Sequence, residues 1–196
     1  SCLGYPRTAA ADPSPAELTA ARKLFEEGVE LEKRSSYAEA FAAFDRASKI
    51  VDSPALRYHR AVCLEGLGRL ADALNAYELA VRVATTANAE EFLKASQERV
   101  KALKPRLPTL LLHVPDDAQG VEIAVDGDPI NAALAGAAFY VDPGARHIVV
   151  SAKNYSAKFE TTLTMVESKP QELTVRLGAK RAPAAATAPG EPSRRP

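Results

Sequence analysis

Three histidines, two cysteines and two close pairs of aspartates are the residues of this sequence whose types suit metal binding, acid–base work or nucleophilic attack. His59, His113 and His147 share no i, i+4 spacing, the separation that sets two imidazoles on one helix face, and no Cys or carboxylate cluster of ligand type stands beside them. Asp116-Asp117 and Asp126-x-Asp128 lack the alternating oxygen ligands and closing glutamate of a calcium loop, so they read as turns. Cys63 lies in the apolar helical pattern AVCLEGL and reads as a small buried thiol. Cys2 is far from it in sequence, and the pair does not fix a redox compartment. Asn154-Tyr155-Ser156 fits the glycosylation sequon, a triplet that arises often by chance. There is no G-x-S-x-G, no phosphate-cradling glycine loop, no H-E-x-x-H and no dinucleotide fingerprint. These residue types therefore predict neither a metal site nor a cofactor, and a protein that is not an enzyme.

The organised signal lies elsewhere. YAEAFAAFDRA, residues 37–47, returns as LADALNAYELA, residues 70–80, at an offset of 33. The same offset aligns Phe25 with Tyr58, Gly28 with Ala61, Val29 with Val62, Leu31 with Leu64 and Glu32 with Glu65. Small residues recur where two helices of a hairpin must approach closely, and large ones recur beside them to fill space. One hairpin cannot bury such a face, so a second copy covers it.

The elements follow from local chemistry. Ser14-Pro15 with Glu17, and Ser53-Pro54, read as helix starts, with KRSS and GLGR as the loops inside each pair. Helices are predicted near residues 15–33, 37–50, 54–66 and 70–84, and ANAEEFLKASQERVKALK makes a fifth with a polar outer face, a cap on the array. After Pro105 and Pro108 the pattern turns to β-branched alternation, in TLLLHV, VEIAVDG, FYVDPG, RHIVVSA, KFETTLTMV and QELTVRL. Asp126-Gly127 and Asp142-Pro143-Gly144 supply turns between these runs, which predicts a small β-sandwich.

The expected organisation is a disordered or processed segment over 1–14, a helical domain over 15–105, a β-sandwich over 107–178 and a Pro/Ala-rich disordered tail or linker over 179–196. Ala9 to Ala11 suit the end of a secretory signal and Ser1-Cys2 a lipoprotein junction, so export is expected. Hydrophobic residues make up 46% of the chain, charged ones 26%, and the formal net charge is zero, which disfavours nucleic acid and anionic membrane surfaces as partners. Two hairpins and a cap bury little alone, so docking of the β-domain on the last helix, or a homodimer, is expected.

The repeated positions resemble the tetratricopeptide repeat: a small residue in the first helix (Gly28, Ala61), a large one three on (Leu31, Leu64), then A-x-x-x-F/Y-x-x-A in the second (Ala40, Phe44, Ala47; Ala73, Tyr77, Ala80). The family's aromatic near the start of its first helix is displaced by one residue, to Phe25 and Tyr58. FYVDPGARHIVVSAKNY resembles the PEGA-type surface domain, with Asn154, a residue tolerant of positive φ, in place of the usual glycine. The resemblances span roughly residues 17–178. They imply a multidomain α + β protein, a two-repeat α-hairpin array with capping helix followed by an Ig-like or PEGA-like sandwich. The pairing is similar to exported, periplasmic or envelope-associated proteins of bacteria, often held by a membrane anchor outside the folded part.

Such arrays bind extended peptides or partner helices on the face made by the first helix of each pair. Counted onto this sequence, that face comprises Phe25, Val29, Glu32, Tyr58, His59, Val62 and Glu65. The function implied is a non-enzymatic adaptor for a protein or peptide. The alternative is carbohydrate or cell-wall binding by the β-domain, through Phe139, Tyr140, Tyr155 and Phe159, with the helices as spacer.

Overall fold

A computed structural model describes residues 12–181, whose contacts divide them into two compact units. Five helices are followed by two β-sheets, a two-part α plus β layout. The first unit runs to Pro108 and includes the short stretches Tyr140–Pro143 and Val166–Lys169; the second holds Thr109–Phe139, Gly144–Met165 and the chain from Pro170. The expected processing signals, Ser1-Cys2 and Ala9 to Ala11, and most of the expected tail lie outside the described residues. Among the described residues no helix is long and apolar enough to cross a membrane.

The helices are α1 (Pro15–Lys33), α2 (Tyr37–Ser48), α3 (Pro54–Gly66), α4 (Leu70–Thr86) and α5 (Glu90–Leu103). At the start of α1, Ser14 Oγ accepts the Glu17 N–H at 3.3 Å while the Glu17 carboxylate accepts the Ser14 N–H at 2.7 Å. Ser53 Oγ likewise accepts the Leu56 N–H before α3. The ends of α1, α3 and α4 close alike. Ser35, Gly68 and Asn88 take φ of 59°, 75° and 52°, and the following N–H reaches back to Leu31, Leu64 and Ala84 at 2.9, 3.0 and 2.9 Å.

Each helix packs on the next, and α1 and α5 both pack on α3. Gly28 permits the close approach of α1 and α2, since a Cβ there would stand 2.5 Å from Phe44 Cε1. The equivalents in the second hairpin, Ala61 and Tyr77, are fully buried. No side chain at Arg69 caps α4; instead Asp142 Oδ1, in the same unit, accepts the Ala71 N–H at 2.7 Å.

The strands are β1 (Thr109–His113), β2 (Glu122–Val125), β3 (Asp128–Ile130), β4 (Phe139–Tyr140), β5 (Gly144–Ser151), β6 (Phe159–Met165) and β7 (Pro170–Thr174), all of the second unit except Tyr140. They form one sheet in the order β4-β1-β7 and another in the order β3-β2-β5-β6. Alternate residues Leu110, Leu112, Ile123, Val125, Ile148 and Val150 point inward and are buried. Asp126 and Gly127, at φ 53° and 90°, form the two-residue turn between β2 and β3. Pro129 fits β3 because that strand is an edge and needs no second partner for its backbone. The first and last strands pair in parallel, Thr109 opposite Pro170, a contact no hairpin signal announces.

Two expectations are corrected. Asn154 is not among the residues with positive φ; its side chain is what the turn uses, Oδ1 accepting from the Gln119 N–H and Nδ2 donating to the Asp117 carbonyl, each at 2.8 Å. The backbone also stays paired beyond residue 178. Ser156 N–H donates to the Ala179 carbonyl and Arg181 N–H to that of Asn154, and Lys180 ion-pairs with Asp117, which also accepts the Tyr155 hydroxyl at 2.7 Å.

Candidate functional site: the α1, α3 and α5 face

Helical spacing in α1 and α3 projects Phe25, Val29 and Glu32 beside Tyr58, His59, Val62 and Glu65, and all seven are half-buried. The rings form a continuous row. Phe25 lies 5.3 Å from His59, His59 is 5.5 Å from Tyr58, and Tyr58 is 5.9 Å from Phe92 on α5. Under them lie the fully buried rings of Phe44, 5.3 Å from His59, and Tyr77, 5.8 Å from Tyr58. Tilted and edge-on pairs at these distances suit the ring quadrupole. Phe92 is absent from the expected set, although the offset of 33 residues from His59 marks it.

Two acids sit in this row, each satisfied differently. Glu32 Oε2 meets His59 Nδ1 at 2.9 Å, whereas Glu65 accepts the Tyr77 hydroxyl at 2.9 Å and pairs with Arg99 on α5 at 3.5 Å. The difference follows from the matched ring beneath: Phe44 has no hydroxyl to offer Glu32, and Tyr77 offers one to Glu65. Burial, reinforced by the Glu65 carboxylate, pushes the Tyr77 phenol far above its ordinary range and keeps it a donor. Burial opposes the charge of Arg99, but Glu65 and the hydroxyls around it outweigh that cost and raise its pKa. Val29 and Val62 pack against the two helical core clusters, so they support the face from below as well as lining it.

The histidines are not isolated from carboxylates. His59, His113 and His147 each have a glutamate partner, Glu32, Glu172 and Glu160, at 2.9, 2.8 and 3.0 Å. Cross-strand and cross-helix neighbours create these pairs, and linear spacing does not reveal them. His59 with Glu32 is half of a general-base arrangement, and Cys63 follows His59 one helical turn later. The thiol is fully buried, and burial followed by the nearby Glu32 charge pushes it up to about 12, so it is a packing residue and not a thiolate nucleophile. Among the described residues no group of three or more His, Cys, Asp or Glu gathers as a metal site.

Of the aromatic residues considered for sugar binding, Phe139 is buried, and Tyr140, Tyr155 and Phe159 are half-buried, as the rings of the α1, α3 and α5 face are. Tyr140 packs against the helical core, and the Tyr155 hydroxyl is held by Asp117. A separate groove of about 830 Å³ runs along α4 and α5, away from the seven expected residues. Compared with known proteins, the chain matches no family model and no curated sequence. The α1, α3 and α5 face is thus characterised by its own geometry: a row of rings flanked by two acids, each with a hydrogen-bond partner.

Proposed function

We propose that this chain is a non-enzymatic adaptor of the tetratricopeptide type, joined to a PEGA-like β-domain, which takes a peptide or partner helix on the α1, α3 and α5 face. The observation carrying this reading is the row Phe25, His59, Tyr58 and Phe92, which spans three helices at ring separations of 5.3 to 5.9 Å and stays half-buried along its length. Half-exposed rings over the buried layer of Phe44 and Tyr77 are the kind of anchor sites that carry binding energy at protein interfaces. Glu32 and Glu65, at 19% and 22% side-chain exposure, can orient a polar backbone or a cation of the bound segment beside them. The bacterial envelope is the proposed place of action, on the strength of the resemblance and of the small-residue amino-terminal segment.

The test compares the full chain with a Phe25→Ala, Tyr58→Ala, Val62→Ala variant in recovery of partners from envelope extract, with helical content and melting of both followed by circular dichroism. A single partner recovered by the parent and lost from a folded variant is the expected result. The same partner recovered equally by both would refute the assignment of this face.

A further inference from the structure

We propose that the groove along α4 and α5 is a second docking site, independent of the ring-lined face, for an acidic protein segment with aliphatic anchors. Its floor is apolar, made by Val81, Val100, Pro105 and Tyr140, all within the helical unit. Its rim is cationic: Arg82, Lys101 and Lys104 are exposed around that floor. The one acid in the lining, Glu78, is met by Lys104 at 3.8 Å, and Arg82 and Lys101 make no ion pair among the described residues.

Helix ends account for two of these cations and not for the third. Lys101 lies in the last turn of α5 and Lys104 at its C-cap, where a cation offsets the helix dipole, but Arg82 precedes the last turn of α4. In a chain of zero net charge, two unpaired cations over an aliphatic recess are a local excess with one complementary chemistry: carboxylates flanking Leu, Ile or Val. A volume of about 830 Å³ accommodates several such side chains. An aliphatic floor with one ring offers little for bases to stack on.

The probe is a fluorescein-labelled amphipathic peptide with leucines at i, i+3, i+4 and i+7 and glutamates elsewhere, compared by anisotropy with the same peptide carrying lysines. The full chain is expected to bind only the acidic peptide saturably, and less tightly as salt rises. Arg82→Glu with Lys101→Glu should weaken it by roughly tenfold or more, while Arg22→Glu with Lys23→Glu on α1 leaves it unchanged. These residues are exposed, and circular dichroism with thermal melting checks that each variant is folded before binding is read. The proposal is overturned by no saturable binding, by equal binding of the lysine peptide, by preference for anionic vesicles, or by insensitivity to the Arg82 and Lys101 reversal. Loss of acidic-peptide binding in Tyr58→Ala, with retention in the reversal, would assign that peptide to the α1, α3 and α5 face instead.

Discussion

Replacing Gly28 by alanine sets two effects against each other. Alanine in a helix interior is favoured over glycine by about 0.5–1 kcal/mol, but the new methyl would stand 2.5 Å from the buried Phe44 ring. Overpacking of this kind costs about 1–3 kcal/mol, and Phe44 is 0% exposed, with no solvent to move into. Gly28→Ala is therefore expected to lower stability by about 1–2 kcal/mol, read as a reduced midpoint in urea with an unchanged slope. Cys63 gives a prediction of a different kind. In the unfolded chain its thiol titrates near 9.0, whereas in the folded chain it holds its proton to about 12. Between those values the unfolded state binds fewer protons, so stability falls as pH rises through that window. A thiol reagent at pH 8 should leave Cys63 untouched in the native chain and modify it on unfolding, and native-state reaction at the unfolded rate would contradict its burial.

The helices differ in how far their ends depend on distant residues. Ser14 and Ser53 lie next to the helices they cap, and both starts are legible from short motifs. So is the turn at Asp126-Gly127, because its positive φ values demand those residue types. The cap of α4 is not legible: Asp142 lies 71 residues from Ala71, and nothing local links them. Asp142→Ala should cost about 1 kcal/mol, seen as a lower thermal midpoint and faster amide exchange in the first turn of α4, while Asp142→Asn retains most of the stability. If exchange there were unchanged in the alanine variant, the cap would contribute nothing. The same contrast runs through the candidate site. The offset of 33 residues located the face and marks Phe92, whereas the partners of its charged groups, Arg99 for Glu65 and Glu32 for His59, depend on how three helices stack. The parallel pairing of β1 with β7 escaped for the same reason, since strand alternation reports which side is buried and not which neighbour lies alongside.

At the scale of the whole chain, the two units are interleaved in sequence. The helical unit is not finished at Pro108, because it takes in Tyr140–Pro143 and Val166–Lys169. Asp142 caps α4, Glu167 meets Arg106 at 2.7 Å, and the Ser168 N–H donates to the Arg106 carbonyl at 2.9 Å. That arrangement has a consequence in time. A ribosome releases the five helices first, and their local contacts form readily, yet the residues that complete their unit emerge only after most of the strands. At about 5–20 residues per second, the roughly thirty-four residues from Pro108 to Asp142 impose an interval on the order of 2–7 s. During it the start of α4 lacks its cap and the groove lacks Tyr140, so the nascent helices await the last third of their own chain before either is complete.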